Sequence, residues 1–256
     1  MATRVALVTG GSRGIGRAIA LVLGREGLAV AVAARALEHA EATAVGIRAL
    51  DGTALAVALD VSDAAAIEAA VAQTVEGLGP VDVLVNNAGI AESAAFLKTT
   101  PEAWARHLGV NTTGPFLLTR AVLGGMLARG WGRVINVASL AGLHGSPYVT
   151  AYTASKHALV GFTRALATEV TGTGVTVNAL CPGFVATDMV WNGARNIVAR
   201  TGRSFEDAVA ALAAMNPGRR LIEPDEVAEE ALRLVRDGTT NGETVVLDGS
   251  APRRAT

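Results

Sequence analysis

Seven short runs of aliphatic and β-branched residues recur along this chain, each nearly continuous rather than alternating apolar with polar. They are Arg4 to Thr9 (RVALVT), Ala29 to Ala34 (AVAVAA), Ala54 to Val61 (ALAVALDV), Val81 to Asn86 (VDVLVN), Arg133 to Ser139 (RVINVAS), Val175 to Cys181 (VTVNALC) and Glu243 to Asp248 (ETVVLD). A strand with one wet face alternates, whereas a strand covered on both faces reads as a continuous apolar run. Between the runs lie longer Ala- and Leu-rich segments with helix-start signals: Ser62 ahead of DAAAIEAAVAQTV, Thr100 before Pro101 and Glu102, and Pro224 before Asp225 and Glu226. Strand and helix alternating throughout predict βαβ units, hence an α/β fold with a doubly wound parallel sheet of about seven strands and helices on both faces. No Pro/Gly/Ser-rich linker interrupts the pattern, so residues 1–256 read as one domain. The irregular interval is Asp188 to Asn216, whose centre, SFEDAVAALAAM, reads as a short amphipathic helix. An insertion beyond the carboxyl end of a strand lies where open α/β sheets bind ligands, which predicts a substrate lid over 188–216.

The balance of charge narrows the partner. With 256 residues, half of them hydrophobic, and a formal net charge of −1, the chain has core-forming residues but no block of like charge for a nucleic acid or a membrane surface. A small molecule is the expected partner. The opening MATRVALVTGG enters a strand without the apolar region and cleavage site of a signal peptide, and no apolar stretch reaches the length of a membrane span. The single cysteine, Cys181, rules out an intrachain disulfide, and a reducing cytoplasm is the expected home. His39, His107, His144 and His157 have no ligand-like spacing with one another or with Cys181, so no metal site is expected.

The first strand runs into TGGSRGIG, in which Gly10, Gly14 and Gly16 precede a helical segment. Glycines at a strand-to-helix turn let a pyrophosphate approach the backbone at the helix N-terminus, where free N–H groups and the helix dipole favour an anion. In that position the spacing predicts a dinucleotide site of Rossmann type. An acid ending the second strand would bind the adenosine ribose of NAD. Here Ala34 stands in its place and Arg35 follows. Arg35 with Arg13 could grip a ribose 2′-phosphate, which predicts NADP(H) over NAD(H).

The pentapeptide YTASK places Tyr152 and Lys156 four residues apart, on one helix face. Ser139 ends the NVAS run thirteen residues before Tyr152, NNAG (Asn86 to Gly89) follows the fourth strand, and VNTTG holds Asn111. Together with the glycine turn, this set in this order resembles the short-chain dehydrogenase/reductase family along essentially the whole chain. The resemblance implies a catalytic tetrad of Asn111, Ser139, Tyr152 and Lys156. It implies coenzyme contacts from Gly10, Ser12, Arg13, Gly14, Ile15 and Gly16, from Arg35, Asp60 and Val61, from Asn87, Ala88 and Gly89, from Tyr152 and Lys156, and from Pro182, Gly183, Val185 and Thr187 in CPGFVATDM. Asp60 reads equally well as plain capping chemistry. Ala141, His144, Phe184, Met189 and Trp191 are candidates for the substrate wall, with packing of the lid as the alternative for the aromatic and methionine residues.

The chemistry of such a set can be stated directly. Reducing a ketone takes a hydride at carbon and a proton at oxygen, and a tyrosine gives up its proton readily when a neighbouring cation stabilises the tyrosinate. Lys156 is that cation, and Ser139 can orient the carbonyl oxygen. The run from Gly124 to Val170 is similar to 3-oxoacyl reductases and aromatic polyketide ketoreductases, which implies an acyl ketone on a pantetheine thioester. The IAESAAF after NNAG departs from the glycine-rich stretch of the polyketide enzymes. The resemblance also implies a homotetramer built through the helices flanking the fifth strand, and a polar, mobile C-terminal tail is expected. Two alternatives are an NAD-dependent dehydrogenase of a 3-hydroxy acid or secondary alcohol, and a dinucleotide binder without catalysis.

Overall fold

The computed structural model describes residues 3–251 and 253–255. One half of the sheet is laid down by β1 (Val5–Thr9), α1 (Gly14–Arg25), β2 (Ala29–Ala34), α2 (Leu37–Arg48), β3 (Ala54–Ala58), α3 (Ala64–Leu78) and β4 (Val81–Asn86). The other half follows as α4 (Pro101–Leu108), α5 (Gly114–Ala128), β5 (Gly132–Val137), α6 (Thr150–Glu169) and β6 (Val175–Pro182), then α7 (Asp188–Thr201), α8 (Phe205–Ala214), α9 (Pro224–Arg236), β7 (Thr244–Leu247) and β8 (Arg253–Ala255). The strand order is β3-β2-β1-β4-β5-β6-β7-β8, parallel up to β7. This is a single Rossmann-like sheet with helices on both faces. Its order reverses between β1 and β4, and a crevice for ligands opens beyond their carboxyl ends.

The continuous apolar runs are explained by two cores, one per face. β1 sends Ala6 and Val8 into a core shared with α1, α2 and α9, and Leu7 into a core shared with α3, α5 and α6. With side chains alternating at period 2, both faces must be apolar, and every residue of β1, β2, β5, β6 and β7 is buried.

The helix starts follow the expected chemistry with one shift. Thr100 Oγ1 accepts from Ala103 N at 3.2 Å ahead of Pro101, and the Glu226 carboxylate accepts from Glu223 N at 2.8 Å. Ser62, expected to cap α3, does not. Asp63 takes that role, its Oδ1 accepting from Ala65 N at 2.9 Å, while Ser62 donates through N and Oγ to Asp60 Oδ1 at 2.9 and 2.6 Å. An aspartate bonding two residues ahead closes a tight turn, which moves the helix start on by one residue.

Two other expectations are corrected. The interval 188–216 holds two helices rather than one, α7 and α8, joined past Gly202 in left-handed conformation (φ 69°). They share a small core of Val190, Ala194, Ala208 and Leu212. The C-terminal tail is not left loose: Arg253–Ala255 pairs antiparallel with β7, and Arg253 meets the buried Asp248 carboxylate at 2.6 Å. Among the described residues no helix is long and apolar enough to cross a membrane.

Candidate active site

The turn between β1 and α1 is shaped by its glycines. Gly10 (φ 63°) and Gly14 (φ 52°) are left-handed, and a Cβ on Gly16 would collide with the Gly10 carbonyl and Asn87 Nδ2. The residue before α1, Arg13, places no side chain over the first helical N–H groups, and no acid stands in the first turn. These donors and the bare backbone in front of them fit a pyrophosphate. Ser12 and Ile15 complete the turn. Its floor is held from β4: Asn87 Nδ2 donates to Thr9 O at 2.9 Å and Gly10 O at 3.2 Å, while Thr9 Oγ1 accepts from Asn87 N at 3.0 Å and Ala88 N at 3.1 Å. Thr9 escaped the sequence reading because it looked like the plain end of a strand.

At the end of β2, Ala34 is buried and Arg35 is exposed. Asp60 lies within electrostatic reach of Arg35, and its carboxyl is held below the usual range first by the Ser62 hydrogen bonds and to a lesser degree by that charge. Val61 is buried in the core on the α5 side. Arg13 pairs with Asp188 Oδ2 at 3.0 Å across open solvent, which ties the glycine turn to the first residue of α7. Thr187 adjoins the same turn, since a Cβ on Gly14 would stand 3.1 Å from its Cγ2.

Tyr152 and Lys156 lie one turn apart on α6, with Lys156 Nζ 5.9 Å from the Tyr152 ring centroid. Lys156 is buried and donates to Val137 O at 2.8 Å. Burial lowers its pKa to about 8. Burial pushes the Tyr152 phenol up, and a hydrogen bond with Ser139 works against that. Ser139 lies two residues past β5, and its Oγ accepts from Ala141 N at 3.1 Å.

Asn111 stands in a π-helical turn, Gly109–Thr113, between α4 and α5. Its Oδ1 accepts from Ile90 N, and its Nδ2 donates to Ile90 O and to Ser155 Oγ, all at 2.9 Å. A Cβ on Gly89 would stand 3.2 Å from Asn111 Oδ1 and 3.6 Å from Lys156 Nζ, so glycine keeps the loop close to both. Ser155 is the link between these elements. It donates to Tyr152 O at 2.7 Å, and nothing in the YTASK spacing singles it out. A buried ladder supports the same strand ends: Asn86 Nδ2 donates to Asn136 Oδ1 and Asn136 Nδ2 to Thr163 Oγ1, both at 2.8 Å.

The candidate substrate residues divide. Phe184 and Trp191 pack onto the α7–α8 core, with Trp191 6.4 Å from Phe205 between ring centroids. Met189 and His144 are exposed, and Ala141 is half-buried at the Ser139 turn. Pro182 ends β6 opposite Leu247, and Gly183 N donates to Leu247 O at 2.8 Å. The base of the α7–α8 excursion is a bridge between Val185 and Ile222. It is fastened by buried Asn216, whose Oδ1 accepts from Phe184 N at 2.8 Å and whose Nδ2 donates to Phe184 O at 3.0 Å and Arg220 O at 2.6 Å. No local pattern around Asn216 pointed to this clasp. Cys181 is fully buried, its thiol pushed up to about 11 by that burial.

A doubly wound sheet with a bare glycine turn at its switch point, and a tyrosine and lysine gathered beside it, defines an oxidoreductase working between alcohol and carbonyl. The chain belongs to the short chain dehydrogenase family, whose model matches residues 4–197. It is 39% identical over 251 residues to an acetoacetyl-CoA reductase of Shinella zoogloeoides, covering 96% of this chain and 98% of that one. It is 43% identical over 193 residues to a 3-oxoacyl-[acyl-carrier-protein] reductase of Synechocystis sp., covering 75% of this chain and 78% of the relative. Among solved structures, a variant of actinorhodin polyketide ketoreductase with NADPH superposes with a TM-score of 0.93 at 41% identity, covering 97% of this chain and 98% of that one.

Proposed function

We propose that this enzyme is an NADPH-dependent ketoreductase that converts a 3-oxoacyl group, or a ketone of similar size, to a secondary alcohol. The observation that carries the reading is Tyr152 hydrogen-bonded with Ser139 and 5.9 Å from Lys156 Nζ, with Lys156 against the Gly89 loop whose Asn87 floors the glycine turn. The turn would hold the pyrophosphate, with Arg35 and Arg13 on the 2′-phosphate and Asn87, Ala88, Gly89, Pro182, Gly183, Val185 and Thr187 along the rest of the coenzyme. When bound, the coenzyme supplies a hydride to the carbonyl carbon. The carbonyl π electrons move to oxygen, which takes the phenolic proton of Tyr152.

Near neutral pH both groups hold their protons. Tyr152 is raised by burial, so it is a phenol with a proton to give, and Lys156, at about 8, is an ammonium able to stabilise the tyrosinate left behind. One Lys156 N–H is spent on Val137 O, and an ammonium has two more for ribose hydroxyls. Ser139 donates to the substrate oxygen as it gains charge. Asn111, through Ile90 and Ser155, fixes the loop and helix that carry the tetrad. The α7–α8 pair acts as the lid, and the exposed sides of α5 and α6, where Phe116 meets Phe162 edge-on at 6.2 Å, are the faces of a homotetramer.

Coenzyme oxidation with a 3-oxoacyl thioester, NADPH and NADH side by side, tests the reading. Tyr152→Phe should lose roughly 10²–10⁴-fold in turnover, the usual worth of a positioned acid, and keep its NADPH affinity. Undiminished turnover in that variant would refute the mechanism.

A further inference from the structure

Two side chains from the helical stretch 101–113 hold the main chain of the loop after β4. One is Asn111, on Ile90. The other is His107, four residues earlier in the last turn of α4 and so on the same face. Its ring is buried, and both ring nitrogens are committed. Nδ1 stands 2.7 Å from Ala103 O, and Nε2 stands 3.1 Å from Glu92 N. A carbonyl oxygen only accepts and an amide N–H only donates, so Nδ1 carries the hydrogen and Nε2 is bare. These partners admit one protonation state, the neutral ring. Leucine would fill the same space; what histidine adds is an acceptor for Glu92 N.

The acceptor matters because the loop has little else. Residues 87–95 form neither helix nor strand. Between Ile90 and Ala94, whose N donates to Tyr148 O at 2.8 Å, the main chain makes a single hydrogen bond among the described residues, from Glu92 N to His107. Glu92, Ser93 and Ala94 wall a cavity that reaches Ala151, the neighbour of Tyr152 in the chain. A proton on Nε2 would set a second N–H against that of Glu92. The loop's own carboxylate, Glu92, is already paired with Arg106 at 2.9 Å. Lys98 and Tyr148 line the same cavity, Tyr152 and Lys156 stand on α6, which packs against α4, and none of these groups is hydrogen-bonded to the ring.

We propose that His107 is a positioning residue: its neutral ring holds the loop after β4 as a wall of the active site, and a proton on Nε2 lets that wall go. The part of the role that concerns turnover rests on the ketoreductase reading. Asn87 and Ala88 stay fastened by Thr9, and Ile90 by Asn111. The stretch released is therefore 91–93, beyond the residues assigned to the coenzyme.

The test sets wild type beside His107→Gln, whose amide oxygen still accepts from Glu92 N and does not titrate, and His107→Leu, which has no acceptor. Histidine changes charge between about pH 5 and 8, so each protein is assayed with NADPH and acetoacetyl-CoA or ethyl acetoacetate at about pH 7.5 and about pH 5. Loss of the bond should raise KM for the ketone about five- to tenfold and leave NADPH affinity within about twofold. His107→Leu should show that rise at both pH values and His107→Gln at neither. Wild type should match His107→Gln at the higher pH and approach His107→Leu at the lower. Other titrations, the coenzyme's phosphate included, are common to all three proteins and drop out of the ratios. Amide hydrogen exchange across residues 90–95, expressed as protection, follows the loop without any reaction and should be lost in the same pattern. A wild-type to His107→Gln ratio that is equal at the two pH values, or a loss of NADPH affinity as large as the rise in KM, would overturn the role. Protein that shows the exchange pattern and reduces neither substrate would overturn the ketoreductase reading and leave the proton-dependent hold on the loop standing.

Discussion

The clasp at the base of α7–α8 can be probed by a double-mutant cycle on Gly183 and Asn216. Asn216 is buried and makes three hydrogen bonds to main chain, at 2.8, 3.0 and 2.6 Å. With a net worth of about 1 kcal/mol each, Asn216→Ala should cost about 3 kcal/mol. A Cβ on Gly183 would collide with Asn216 Oδ1 and stand 3.1 Å from Leu140 Cδ1. Gly183→Ala must therefore push the amide off its partners and lose most of the same bonds, at about 2–3 kcal/mol. In the Asn216→Ala background the collision is gone, and the same change should cost less than about 1 kcal/mol, because only Leu140 has to yield. The coupling of about 2 kcal/mol lies within the range measured for residues in contact. Urea unfolding followed by Trp191 fluorescence, with Trp104 and Trp131 replaced by Phe, reads the lid directly. Equal costs for Gly183→Ala in the two backgrounds would show that Asn216 does not hold the lid and would sink the argument.

The other expectations concern charge. Lys156 is lowered from 10.5 to about 8 by burial, so the native chain binds fewer protons than the unfolded one between those values, and this group's contribution to stability rises with pH across that window. Cys181, raised from 9.0 to about 11, pulls the other way above pH 9. Between pH 8 and 9 the urea midpoint of the coenzyme-free protein should therefore climb in wild type and climb less in Lys156→Met; parallel curves would contradict the buried ammonium. Arg35→Ala should weaken NADPH about tenfold or more beyond any effect on NADH, from the loss of charge-assisted bonds, and an equal loss for both would remove Arg35 from the 2′-phosphate. Asp188→Asn should free Arg13 and tighten NADPH by a factor of about 2–5 at low salt, since an exposed pair is worth at most about 1 kcal/mol. A matching gain for NADH would place Arg13 elsewhere.

Much of this protein is legible in one dimension because its signals are local. Runs such as AVAVAA and VDVLVN coincide with β2 and β4 to the residue, since a strand buried on both faces admits little else. Thr100 and Pro101 announce α4 for the same kind of reason, a cap that needs only the next three residues. The glycine turn and the four-residue spacing of Tyr152 and Lys156 are equally local, and they carried the family and the candidate chemistry. The tertiary structure decided the rest. Thr9 meets Asn87 and Ala88, Ser155 meets Asn111 and Asn216 meets Phe184 across 78, 79, 44 and 32 residues of chain, and Arg13 meets Asp188 across 175. No periodicity extends over such distances, and a threonine, serine or asparagine has no feature of its own that says whether it will cap a helix or fasten two distant loops.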